Sequence, residues 1–442
     1  MIKKLFSSQL RLNIASGVIT TVINIVVMAV GYPIYLHYLG YEKYGLWLVL
    51  SVVLTFAQLG NLGIGSAVTK LVAEEYGRGN VEAIQRYVTT ALVLLCLSGS
   101  VVLITILLFK DKIVDIFKLS DANAQAVSSL VPYIGILSIY VFIVQVFDAT
   151  LSGLGRMDLA NCFQSISRIV GVTVAAILLY IGRGIESLLI GNTLSYVFIH
   201  IISLICIRRI VHIRLLWIGN MDFQRGRHIL RFGGAIFGGT LMSMLLHPFN
   251  RFVLARYVGI GTLPIYEIGF NINSQIRGMI DSGMRALVPE ISHLSSNPTI
   301  ESYQKIRGID RRIAKFILAG GAILYGFLFI AAEPILKFWL GQRFVNELPW
   351  VVRIIGIGSL LTVLGVPAYY TVMALGKVHH VFLGHALQSC VSVLCIYIIV
   401  IKTGFYSVNM VAFISSFAMV LGAWYMVLQK NLALRYLPIR KI

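Results

Sequence analysis

Four polar residues follow one another at steps of four through an otherwise apolar tract: Asn273, Arg277, Asp281 and Arg285. On a helix each step advances about 40° beyond a full turn, so the four share one stripe roughly 120° wide. Two guanidinium groups and one carboxylate leave that stripe with surplus positive charge. Guanidinium forks grip phosphate oxygens two at a time and repel cations, so an anionic ligand fits best. A second arrangement stays open, in which Arg277, Asp281 and Arg285 satisfy one another as ion pairs. Arg251, which has no acid in its own apolar segment, and Arg353 extend the positive set. Lys70 and Arg168 are weaker candidates, because long stems let such residues reach an interface. Asn61, with Gln58 and Thr69, holds the matching place in an earlier segment. Asp148 is either an anion on a cavity wall or a helix-end partner for Arg156.

The elements that position these residues follow from composition. Of the 442 residues, 58% are hydrophobic and 12% charged, and the mean hydropathy is +0.85. Soluble chains carry about 25% charged residues. No water-facing fold buries so much apolar surface, so lipid must cover it. The apolar runs are about 20 residues or longer, the length that spans a bilayer. About twelve such spans are expected, which predicts an all-α polytopic membrane protein. They cover residues 13–36, 44–68, 87–109, 125–151, 162–181 and 185–207, then 229–255, 264–288, 313–332, 348–373, 381–401 and 408–428. The first is too long for a signal-peptide core and reads as a retained helix.

The net charge of +19 sits in short loops rather than on one face, which speaks for membrane topology and against nucleic acid. Placing the N-terminus in the cytoplasm puts most Lys and Arg inside, among them Arg208, Arg209, Arg225, Arg227, Lys305, Arg307, Arg311 and Arg312. Both termini are then cytoplasmic. The cysteines at 96, 162, 206, 390 and 395 lie in apolar runs without a ligand-like spacing, and read as small buried hydrophobes.

Two six-span halves, residues 1–210 and 211–442, share features at a shift of about 220 residues. LSGLGRMD, ending at Asp158, matches VMALGKVH, ending at His379, with Gly155 on Gly376. Gly40 after the first span matches Gly259 after the seventh, and Gly63 meets Gly283. Because each half holds an even number of spans, the repeat is parallel, a recurrent transporter layout.

YPIYLHYLGYEKYGLW from Tyr32 and AQLGNLGIGSAVTKLVAE from Ala57, with LGRMD and LGKVH later, resemble the Wzx-type O-antigen flippases. That family belongs to the superfamily that also holds MATE exporters and lipid II flippases. The resemblance implies two six-helix lobes around a central cavity in a bacterial cytoplasmic (inner) membrane. It implies an undecaprenyl-pyrophosphate-linked oligosaccharide as substrate, moved from the inner to the outer leaflet. Membrane lipids and polysaccharide assembly proteins, a polymerase and a chain-length regulator, are the implied partners.

Charge then assigns the roles: Arg277 and Arg285 to the pyrophosphate, Arg251 toward the exit, with Lys70, Arg353, Asn273 and Asn61 as further substrate contacts. Asp281 is the carboxylate available for H+ or Na+ coupling. No Walker A loop, nucleotide fingerprint or HExxH is present, so ATP drive, a metal and an enzymatic role are not expected. Two other transport or processing roles compete: a MATE-like drug or cation antiporter, which calls for an acidic lumen, and a membrane-embedded polysaccharide-processing enzyme, which calls for a large external loop. A scaffold subunit of an export complex is a further reading, opposed by the polar stripe.

Overall fold

The structure, a computed structural model, describes residues 8–211, 221–285, 291, 294 and 300–435. The described residues are helical almost throughout. They divide into two compact units, Met1–Leu241 and Met242–Ile442. The division falls inside a helix, whereas the halves read from sequence part at 210/211, ahead of it.

In the first unit, α1 (Ser8–Ala57) contains one non-helical residue, Gly40 at φ 67°, so it is two arms joined at a glycine. α2 (Ile64–Gly77), α3 (Val81–Leu108) and the short α4 (Lys110–Ile116) follow. α5 (Asp121–Gly153), α6 (Met157–Tyr180) and α7 (Glu186–Val211) complete the set. α8 (Phe223–Val253) crosses the division. The second unit continues with α9 (Leu263–Arg285) and α10 (Ile300–Leu340). α11 (Glu347–Thr362), α12 (Gly365–Ala374), α13 (Val378–Cys395) and α14 (Val408–Arg435) end it.

By length and composition, eight of the described helices can cross a membrane, or nine when the bent pair α11–α12 counts as one span. α1 enters that count once, although its two arms correspond to the first expected span and the start of the second. α8 and α9 do not enter it; α9 carries the polar stripe. With those three adjustments every expected span has its helix. Two spans read as continuous are broken. The second is interrupted between Ala57 and Ile64, where Leu62 (φ 51°) and Gly63 (φ 73°) are left-handed. The tenth bends by 44° between α11 and α12, because Pro367 has no N–H to offer the Val363 carbonyl one turn back. The helix of the ninth expected span, α10, outruns that span at both ends.

Association rests on small residues, as expected where lipid removes the hydrophobic drive between helices. A Cβ at Gly191 on α7 would sit 2.6 Å from the Gly171 carbonyl of α6, and one at Gly153 would sit 2.7 Å from the Thr69 carbonyl of α2. In the second unit a Cβ at Gly269 would meet Val351 at 2.7 Å, and one at Gly365 would meet Ala423 at 2.6 Å. Large apolar side chains such as Leu97, Leu108, Phe316, Ile330 and Phe338 stand exposed on the outside, where only acyl chains can cover them. Cys96, Cys162 and Cys390 are exposed too, so these three lie on outward surfaces and not in the core as read from sequence.

Two of the repeat's glycine pairs have positive φ at both members. Gly155 (φ 76°) and Gly376 (φ 74°) each end a helix, and the next N–H returns five residues, Arg156 to Leu151 at 2.9 Å and Lys377 to Val372 at 3.1 Å. That is a Schellman stop, repeated in both units. Gly40 and Gly259 also have positive φ. The third pair differs: Gly63 is left-handed at a break, while Gly283 continues α9.

Candidate functional site

α9 is positioned by its buried side. Asn273 is 1% exposed and donates to its own Gly269 carbonyl at 2.8 Å and across to the Val352 carbonyl of α11 at 3.2 Å. The first member of the stripe is therefore a helix–helix contact that also lines the second of two cavities. One turn on, Arg277 reaches open space. Two cavities of about 250 and 240 Å³ have Arg277, His385, Gln388 and Met419 in common; Asp281, Tyr369 and Tyr370 line the first, His247, Asn250 and Tyr266 the second. Arg277 Nε lies 3.9 Å from Asp281 Oδ2, and both side chains are part-exposed, at 39% and 29%. At that separation the guanidinium keeps most of its donors for another partner. The ion-pair arrangement left open by the sequence is thus present between these two residues, but loosely. The backbone of Arg285 closes α9; its side chain lies outside the described residues.

Arg251 has a different setting. It donates from Nε to Glu267 Oε2 at 2.8 Å, and the two side chains are 11% and 9% exposed. His247 Nε2 is 3.3 Å from the same oxygen, and Asn271 donates to Glu267 Oε1 at 2.7 Å. The expected surplus charge at Arg251 is thus matched by an acid from the neighbouring helix. A charge inside a bilayer finds a partner or costs several kcal/mol, and the partner need not share its span. Glu267 went unread in the sequence although an acid in a predicted span was signal enough.

The other expected contacts have partners of their own. Arg353 donates to the Phe329 carbonyl at 3.0 Å, approaches Glu333 at 3.8 Å and stacks near Trp350. Lys70, in the first unit, pairs with Glu74 at 3.6 Å and lies 4.1 Å from the Phe232 ring. Asn61 donates to Gln145 and accepts from the Gly65 N–H at 3.3 Å, stitching the break in the second span. Asp148 is bonded by Gln164, while Arg156 turns to Asp158 at 3.0 Å, which settles the choice left open for Asp148 in favour of a cavity wall. His385, not expected at the site from sequence, lines both cavities beside Arg277. Gln388 one turn away and Asn250 were also missed; each is a polar residue within a predicted span.

Comparison with known proteins agrees with this fold. A Shigella flexneri protein named "Putative O-antigen transporter" is 20% identical over 368 residues, 83% of this chain and 85% of its own length. Among solved structures, an inward-facing MATE-family multidrug resistance transporter of the MOP superfamily superposes with a TM-score of 0.74 at 16% identity, over 99% of this chain and 97% of that one. The lipid II flippase MurJ in an inward closed conformation gives 0.77 at 15% identity, over 94% and 87%. The two structural likenesses establish an all-α architecture of the MATE type. The family described as Polysaccharide biosynthesis protein matches residues 10–295, well over half of the sequence, and the chain is a multi-pass membrane protein that belongs to that family.

Proposed function

We propose that this protein is a flippase for a lipid-linked glycan: it moves an undecaprenyl-pyrophosphate-linked oligosaccharide, an O-antigen or related repeat unit, from the inner to the outer leaflet of a bacterial cytoplasmic membrane by alternating access. It is a transporter and not an enzyme. The observation that carries this reading is Arg277, a guanidinium at two adjoining cavities within a membrane span, held by a carboxylate only at 3.9 Å. Family membership and the named relatives, an O-antigen transporter and a lipid II flippase, support the same class of cargo.

In this reading the Arg277 fork, joined by Arg285, takes the pyrophosphate oxygens. Arg251 keeps its place in the Glu267 pair and shapes the cavity wall. Lys70, Arg353 and Asn61 hold helices, and Asn273 does so at the cavity wall. Outward movement of an anion from a negative interior is downhill by about 2.3 kcal/mol per charge per 100 mV, so a diphosphate carries its own bias without ATP. Asp281 is the group through which H+ or Na+ would couple, released when phosphate draws Arg277 away. Both termini are cytoplasmic.

Deleting the gene should cause a lipid-linked glycan to accumulate on the inner leaflet, identified by mass spectrometry of extracted lipids. Arg277→Ala should fail to clear it, while Arg277→Lys, a charge without the fork, restores clearance partly. A strain that instead becomes sensitive to cationic drugs with no such lipid would point to the multidrug antiporter reading.

A further inference from the structure

A third cavity, of about 480 Å³, lies wholly within the first unit and plays no part in the site above. Its size falls in the usual range for small-molecule pockets, about 300–1,000 Å³. Three helices each present a polar pair to it at helical spacing: Gln145 and Asp148 on α5, Gln164 and Arg168 on α6, Asn192 and Tyr196 on α7. Residues three or four apart share a helix face, so the polarity of this wall is written into each helix separately.

The hydrogen bonding inside is incomplete in a specific way. Gln164 donates to Asp148 Oδ2, whereas Asp148 Oδ1 is buried with no partner among the described residues. Asn192 donates an amide N–H to the Leu188 carbonyl at 2.8 Å, and the residue lines the cavity. Gln145 receives its bond from Asn61 at the carbonyl end, leaving its NH₂ as a donor. A buried polar atom without a partner costs free energy, so Asp148 Oδ1 awaits a hydrogen-bond donor. One carboxylate and one guanidinium, Asp148 and Arg168, balance formally. The chemistry on offer is neutral: amides that donate and accept, a carboxylate oxygen that accepts, and a tyrosine ring. A diphosphate would find no surplus cation here and an organic cation no surplus anion. A pyranose, with hydroxyls at its rim and C–H groups on its faces, matches every element.

We infer that this cavity is a saccharide subsite, which binds an uncharged sugar of the glycan through Asp148, Gln145 and Asn192. The inference rests on the flippase reading and adds to it a site for the sugar itself.

The test uses full-length protein in nanodiscs and three probes: the lipid-linked glycan extracted from the deletion strain, undecaprenyl pyrophosphate without sugar, and tetraphenylphosphonium. Asp148→Asn should weaken the glycan-bearing lipid about tenfold, the worth of one hydrogen bond to a charged group, and Asn192→Leu about fivefold, that of a neutral one. Both should leave undecaprenyl pyrophosphate within about twofold of wild type, a difference too small for a lost hydrogen bond. Arg277→Ala should weaken both lipids. Equal effects of the first-unit variants on the two lipids, or none on either, overturn the subsite while Arg277-dependent binding leaves the flippase reading standing. Loss of tetraphenylphosphonium binding in Asp148→Asn, with glycan affinity unchanged, assigns the cavity to cations and overturns it too. If the deletion strain accumulates no lipid-linked glycan, the flippase reading fails and takes the subsite with it.

Discussion

Replacing Glu267 by Gln removes one negative charge and almost no volume, and it isolates the electrostatics of the Arg251 pair. In the native protein the Glu267 carboxylate accepts from Arg251 at 2.8 Å and from Asn271 at 2.7 Å, and His247 stands 3.3 Å away. With both partners about nine-tenths buried, the variant strands a guanidinium that water cannot reach. Breaking a buried pair from one side costs about 3–5 kcal/mol, and most of that is the uncompensated charge, not the lost bond. Replacing both residues, as Arg251→Met with Glu267→Leu, should therefore recover most of the loss, since no charge remains to be solvated. The measurement is unfolding in mixed micelles by SDS titration, followed by near-ultraviolet circular dichroism. A single variant costing under about 1 kcal/mol, the scale of an exposed pair, would refute the argument. So would a double variant as unstable as the single one, because the penalty would then lie in packing.

Three further outcomes are expected. Gly63→Ala should cost at least about 1–2 kcal/mol, the price of a left-handed L-residue, because φ is 73° and the added Cβ would overlap the Gly233 carbonyl; Gly77→Ala, where nothing lies within 4 Å, is the control for thermal stability in the same detergent. Asp222 caps α8, accepting from the Gln224 N–H at 2.9 Å, the Arg225 N–H at 3.2 Å and Arg225 Nε at 3.0 Å, so Asp222→Ala should cost about 1 kcal/mol in the same titration. The Arg225 backbone N–H, followed by its guanidinium, holds the Asp222 carboxyl below the usual aspartate range. A depressed folded value means that this contribution is complete above the ordinary carboxylate range and fades as pH falls through the folded value; wild type and Asp222→Asn should converge in stability at low pH. Asp281→Asn should abolish any dependence of flipping on an imposed pH or sodium gradient in proteoliposomes, and an unchanged dependence excludes Asp281 from coupling.

Much of the architecture was legible because a bilayer makes it local. A run of apolar residues must become a helix in lipid, where every backbone N–H needs a partner within the segment. The helix stops at Gly155 and Gly376 were visible for the same reason: a left-handed residue is a property of one position. The stripe from Asn273 to Arg285 was readable from spacing alone. What spacing could not reveal was which part of it meets another helix. Asn273 bonds to α11 at the edge of one cavity, and Arg277, one turn later, opens onto two, although both share the same stripe.

Charge pairing between spans was illegible for a related reason. Arg251 and Glu267 are sixteen residues apart on two helices, and nothing in either helix alone says that they touch. The same holds for Lys430 on α14, which reaches Asp310 on α10 at 2.7 Å. The amino-acid sequence by itself determined that this chain lives in a membrane as twelve spans, where its helices end, and that its eighth span has a polar face. Only the tertiary structure decided which charges are neutralised and which face a cavity. Helix formation is settled by neighbours a turn away, whereas the field at a side chain depends on whatever another helix brings within a few ångströms.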